Sequence, residues 1–277
     1  FRTNIYQQRG TLAFAFRAIP YEVKTIRELE LPPVLEEIAV RARGLVLVTG
    51  VTGSGKSTSL AAMINHVNVN RRVNVGSDTL SFGSALKHVL RQDPDVILIG
   101  EIRDMETLDT ALKAADTGHL VFATLHTTDA TQTINRVISF YPPHQHQEIR
   151  SLLSTALQAV VSLRLVPRKD GKGRVPACEV LINTAAGADN IRDIEKQLNI
   201  PDLISEGSTA YGMQSFDQSL MKWYRDGAVS YESALFYSTN PSEFALRASG
   251  IDSTSDRTFS DITGGTAPSS RQSEHAG

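Results

Sequence analysis

Gly50-Val51-Thr52-Gly53-Ser54-Gly55-Lys56-Ser57 places a lysine and a hydroxyl directly behind a run of glycines, the spacing G-x-x-x-x-G-K-[S/T] that holds nucleotide phosphates. Gly50, Gly53 and Gly55 let the backbone close around an anion and turn its N–H groups inward, with Thr52 and Ser54 completing the loop. Lys56 is expected to reach the β- and γ-phosphates, the Ser57 hydroxyl to ligate Mg2+, and Thr58 to assist at the α-phosphate. A helix beginning here adds partial positive charge where the anion sits. A glycine-rich turn without a ligand is the bland alternative; an apolar strand before the loop and a helix after it argue against that.

Two further strand ends could carry chemistry. Val96-Ile97-Leu98-Ile99-Gly100 is apolar and runs into Glu101, an acid that a strand neighbouring the loop could deliver to the metal or its water. Leu120-Val121-Phe122-Ala123-Thr124-Leu125 runs into His126, which could hydrogen-bond a γ-phosphate oxygen. Ligands bind at the carboxyl ends of strands in such sheets. Solvated acids at strand ends and structural histidines are nevertheless common. His66, His88, His144 and His146 read as structural, and His119 is open to either reading.

The elements that must position these residues follow from apolar spacing. Thr11 to Pro20 reads as a strand, then a short helix and a second helix starting near Pro33. Leu45 to Thr49 is continuously apolar, as in a strand covered on both faces, and Ser57 to Val67 is helical. Helices are expected over Leu80–Leu90, Met105–Ala115, Asp129–Val137 and His144–Leu163, with strands at Val96–Gly100, Leu120–Thr124 and Val175–Ile182. Strands alternating with helices predict an α/β fold with a doubly wound parallel sheet. From Pro201 the pattern is helical (201–205, 215–225, 231–237 and 241–248), and Asp252 to Gly277 is expected to be disordered. One place resists this parsing: between the loop helix and the next helix only Val73 to Val75 offers a strand.

The 277 residues carry a formal net charge of −2 and a pI of about 6.4, a balance that argues against a dedicated nucleic-acid binder. A single cysteine, Cys178, excludes a disulfide framework and a four-cysteine zinc site within this sequence. No apolar run reaches the ~20 residues that span a bilayer. Phe1 reads as mid-strand, so the natural N-terminus is expected to precede it.

Three segments together, GLVLVTGVTGSGKSTSLAAMI, DPDVILIGEIRDMET and TGHLVFATLHTTDA, resemble the secretion and pilus ATPase family, closest to its type IV pilus retraction motors. The likeness runs from about Phe1 to Gly250. It implies a RecA-like P-loop ATPase core with a parallel sheet over 23–200, a C-terminal helical bundle over 201–251, and the end of an N-terminal PAS-like domain over 1–22. Residues 252–277 form the tail. It also implies that Glu101 is the Walker B acid and that His119 and His126 form the histidine box. Arg2, Arg9 and Arg17 are its candidates for reaching nucleotide across a domain or subunit boundary, a task that suits the guanidinium fork; ordinary surface arginine is their bland reading. ATP and Mg2+ are the implied cofactors. A homo-hexamer is implied, cytoplasmic and peripheral at a bacterial inner membrane, acting on a membrane platform protein and not on nucleic acid.

Two departures stand out. The family's acidic box, an I-x-I-E-D-P-x-E stretch whose glutamate activates water, is absent where the strand count fails, and an omitted segment is the simplest reconciliation. Asn190-Ile191-Arg192-Asp193-Ile194 only partly matches the A-I-R-N-L motif associated with retraction. The alternatives are a pilus extension or type II secretion ATPase, an inactive nucleotide-binding scaffold in the motor ring, and, from another class, a nucleic-acid translocase.

Overall fold

The computed structural model describes residues 2–17, 22–71 and 94–250. The helix expected over Leu80–Leu90, the strand at Val73–Val75, His88 and the tail 252–277 lie outside them.

A central sheet of five strands has the order β4-β5-β3-β6-β7. Its strands are β3 (Gly44–Thr49), β4 (Val96–Ile99), β5 (Leu120–Leu125), β6 (Leu157–Pro167) and β7 (Arg174–Ile182). β3 pairs in parallel with both β5 and β6, and β4 in parallel with β5; only β7 runs antiparallel, on β6. Every residue of β3 and β5 is buried, which explains why these segments read as unbroken apolar runs.

The order corrects one expectation. The strand ending at Glu101 is not the neighbour of the loop strand, because β5 lies between them. β4 is the outermost described strand, and Leu98 on it is 40% exposed. Residues 72–93, where the sequence leaves the strand count short, lie outside the described part.

Helices cover the sheet. α1 (Val34–Ala39) starts after Pro33, as proline at the first turn favours, but the helix expected before it is a set of hydrogen-bonded turns ended by Glu30 at φ 55°. α2 (Lys56–Arg71) leaves the loop directly. α3 (Met105–Asp116) and α4 (Ala130–Ser139) are capped by Asp104 and Asp129, whose carboxylates accept the N–H groups of Thr107 and Gln132.

The helix expected over His144–Leu163 is instead two elements. α5 (His146–Ala156) stops, and β6 begins at Leu157. Ala159, Val160 and Val161 are wholly buried between β3 and β7, where β-branched side chains pack well on a pleated surface. A short apolar run gives no periodicity by which to tell the two apart.

α6 (Ala185–Arg192), α7 (Ile200–Glu206) and the single turn α8 (Ser208–Tyr211) follow β7. Ile191, Ile200, Ile204 and Met213 join the main core under the sheet. A second apolar cluster gathers the ends of β6 and β7 (Val166, Val175, Ala177) with α9 (Phe216–Arg225), α10 (Tyr231–Tyr237) and α11 (Pro241–Ala248). Phe216 and Phe244 are fully buried in it.

At the other end, β1 (Arg2–Gln8) and β2 (Thr11–Arg17) form a hairpin around Arg9 and Gly10, both at positive φ, as a two-residue turn demands. Ile5, Leu12, Phe14 and Phe16 share one exposed face of it. No described helix is long and apolar enough to cross a membrane.

Candidate nucleotide site

Because β3, β4 and β5 are parallel, their carboxyl ends meet at one edge, with Thr49 level with Leu125 and Ile99 with Ala123. Gly50–Ser57, Glu101 and His126 follow those ends, so the sheet gathers at one edge residues scattered over 77 positions of sequence.

All three glycines of the loop adopt positive φ, Gly53 at 81° among them. Gly50 sits at φ 138°, and a Cβ there would lie 2.4 Å from Ser54 Oγ and 2.6 Å from the Leu163 carbonyl. Gly55 adopts φ 100° immediately before α2. Lys56 is buried, and its ammonium donates to the carbonyls of Gly50 at 2.6 Å and Val51 at 3.0 Å. Burial pushes its pKa down and the charge of Glu101 pulls it back up. Ser54 Oγ is buried without a hydrogen-bond partner, an uncompensated cost that an acceptor in the loop would relieve. Ser57 and Thr58 stand exposed on the first turn of α2.

Glu101 and His126 are brought together: Nε2 of His126 lies 3.2 Å from Oε1 of Glu101. The other carboxylate oxygen accepts from Arg103 Nη2 at 2.6 Å. That hydrogen bond is the main reason the Glu101 pKa falls below the ordinary carboxylate range; the charges of Arg103, His126 and Lys56 lower it further. Glu101 is therefore a carboxylate at neutral pH, fitted to hold a cation or orient water rather than donate a proton. The three side chains line a cavity of about 320 Å3 with Thr127 and Arg136. Thr124 Oγ1 donates to the Gly100 carbonyl and the Ile102 N–H to the Thr124 carbonyl, fixing the turn that carries Glu101.

His119 is not brought to this edge. It precedes β5 at the opposite end of a six-residue strand, about 20 Å away at ~3.3 Å per residue. There its Nδ1 meets the Ala114 carbonyl at 3.1 Å, closing the end of α3, a structural role. Arg9 sits at the hairpin tip, joined to the loop by no hydrogen bond or ion pair. Arg2 and Arg17 face each other in the hairpin register, and their side chains lie outside the described part.

Sequence reasoning missed Arg103, although its i+2 spacing from Glu101 in extended chain puts both on one side. It also missed Glu179, which is buried on β7 with Oε1 accepting the Ala130 N–H at 2.8 Å, at the start of α4. Burial pushes this carboxyl up to about 7 from an ordinary 4.5. The folded chain thus holds a proton that the unfolded chain releases, and stability falls as pH rises from 4.5 to about 7. Glu179→Gln keeps the acceptor and removes the titration. It should stabilise the fold at pH 8 by an amount on the order of 3 kcal/mol, seen as a higher melting temperature, but hardly at pH 4. Parallel melting curves against pH for variant and parent would refute this.

A family model of type II/IV secretion system proteins matches residues 25–77 and 72–210 in two pieces that meet at 72–77. The type IV pilus ATPase PilU of Pseudomonas aeruginosa is 42% identical over 269 residues, covering 89% of this chain and 70% of that protein. The type IV pilus retractation ATPase PilT of the same organism is 42% identical over 268 residues, covering 88% and 77%. A crystal structure of the pilus retraction motor PilT with bound ADP superimposes with a TM-score of 0.77 at 40% identity, covering 88% of this chain and 75% of that one. The α/β fold with a mostly parallel central sheet is shared with it.

Proposed function

The chain belongs to the type II/IV secretion system protein family, and we propose that it is an ATP-hydrolysing motor that powers type IV pilus retraction. The observation that carries this is one sheet edge holding the phosphate loop, Glu101 and His126 together, in a chain 42% identical to a retraction ATPase.

In this reading Lys56 neutralises the β- and γ-phosphates, and the backbone of Gly50, Thr52, Gly53, Ser54 and Gly55 cradles them, with Thr58 at the α-phosphate. Mg2+ would be held by the Ser57 hydroxyl and Glu101. When bound, it offsets charge on the departing phosphate. His126, in contact with Glu101, senses the γ-phosphate.

The core is RecA-like, the hairpin is the end of a PAS-like domain, and the chain works as a homo-hexamer at the cytoplasmic face of an inner membrane, drawing on a platform protein. The exposed face of Ile5, Leu12, Phe14 and Phe16 supports assembly, since such patches mark contact sites. In such a ring Arg2, Arg9 and Arg17 of this hairpin are the candidates for reaching a neighbour's nucleotide.

Expressing the full-length protein in a bacterium that makes type IV pili but lacks its retraction ATPase tests the assignment. Restored twitching supports it. Pili that form and are never withdrawn, despite a folded and hydrolysing protein, would point to an extension or secretion role.

A further inference from the structure

β6 carries a guanidinium that the chemistry above does not use. Arg164 Nη1 donates to the Tyr237 carbonyl at 2.6 Å and to the Thr239 hydroxyl at 3.3 Å, and the guanidinium carbon lies 3.7 Å from the Phe216 ring centroid. One side chain thus grips the start of α9, the end of α10 and the turn into α11. That turn is itself fixed, because Asp217 accepts the N–H groups of Thr239 at 2.6 Å and Asn240 at 3.0 Å. Burial disfavours the Arg164 charge, and Glu179, Asp217 and Asp129 support it.

Arg164 also borders the phosphate loop: with Leu165, Arg174 and Tyr237 it lines a cavity of about 320 Å3 that Gly50–Ser54 line as well. Loop and strand touch closely there: the Leu163 carbonyl is one of the atoms that forbids a side chain at Gly50. A polyphosphate in the loop brings negative charge to a cavity that this cation borders. Its pull competes with the Tyr237 carbonyl and the Phe216 ring, so the two states of the loop favour different positions of one guanidinium.

We propose that Arg164 is a positioning residue of the nucleotide site, coupling occupancy of the phosphate loop to helices α9–α11 through its grip on Tyr237, Thr239 and Phe216. The coupling rests on the ATPase assignment, and goes beyond it by giving the C-terminal helices a direct link to the nucleotide.

Trp223 supplies the readout. It is the chain's single tryptophan, buried in the second cluster with Nε1 donating to the Pro176 carbonyl at 2.7 Å. In the full-length protein, adding ADP should change Trp223 emission and slow amide exchange across 231–248. Arg164→Met should bind a fluorescent ADP analogue within about threefold of the parent, lose both responses, and show kcat reduced about tenfold with KM changed less than about threefold. Arg164→Lys, which keeps the charge without the fork, should fold as the parent does and recover only part of kcat. A merely structural role would lower the melting temperature and leave the ADP response of the folded fraction intact. That result, in either variant, would overturn the proposal. A parent protein that binds no ADP would instead sink the ATPase assignment and the coupling with it.

Discussion

Alanine at Lys56 lowers ATP turnover by at least about a thousandfold in the purified full-length protein, the scale on which removing a preorganised charge from a developing anion acts. The ammonium is buried within the loop, bonded to the Gly50 and Val51 carbonyls. Desolvation disfavours its charge there, a cost that a phosphate partner would offset. Removing it withdraws a positive charge from the γ-phosphate and frees two carbonyls to face the anion. Binding and chemistry therefore both suffer. The steady-state rate with ATP and Mg2+, alongside a melting curve, checks this. A variant that melts normally and keeps more than about a tenth of the parent rate contradicts the role given to the loop.

Glutamine at Glu101 separates binding from hydrolysis. Its shape is unchanged and its carbonyl can still accept from Arg103, so the turn after β4 survives. What is lost is a carboxylate that Arg103, His126 and Lys56 hold ionised. The expected result is nucleotide affinity within about threefold of the parent and kcat reduced about a hundredfold or more. Bound ATP should then persist long enough to be recovered intact from the protein. If instead affinity collapses while the kcat of the occupied site is retained, Glu101 serves binding and not the chemical step.

The phosphate loop was legible because its information is local: eight consecutive residues fix the loop, and the strand and helix around it are set by their own apolar patterns. The pairing of Glu101 with His126 was legible only as two strand ends at one edge. Their contact depends on the register of β4 against β5, which no single segment encodes. His119 was misplaced because it opens the strand that His126 closes, and a parallel strand sends its two ends to opposite edges. Leu157 to Leu163 reads as helix because the segment is too short for its period to tell strand from helix, and burial on both faces, which admits Ser162 beside Val160, shows only in the folded sheet. With β6 misread, Arg164 had no address, and its partner Tyr237, 73 residues away, could not be inferred.

The acidic box is a different matter. The family match breaks at 72–77, and the described sheet ends in β4 with Leu98 exposed at its edge.

The rate of ATP hydrolysis per chain, measured for the full-length protein across a protein concentration series, tests the central claim most directly. A motor whose sites are completed by neighbouring chains predicts a per-chain rate that climbs steeply with concentration and then levels off as rings fill. Nucleotide binding with no hydrolysis at any concentration would contradict it and leave a nucleotide-binding scaffold.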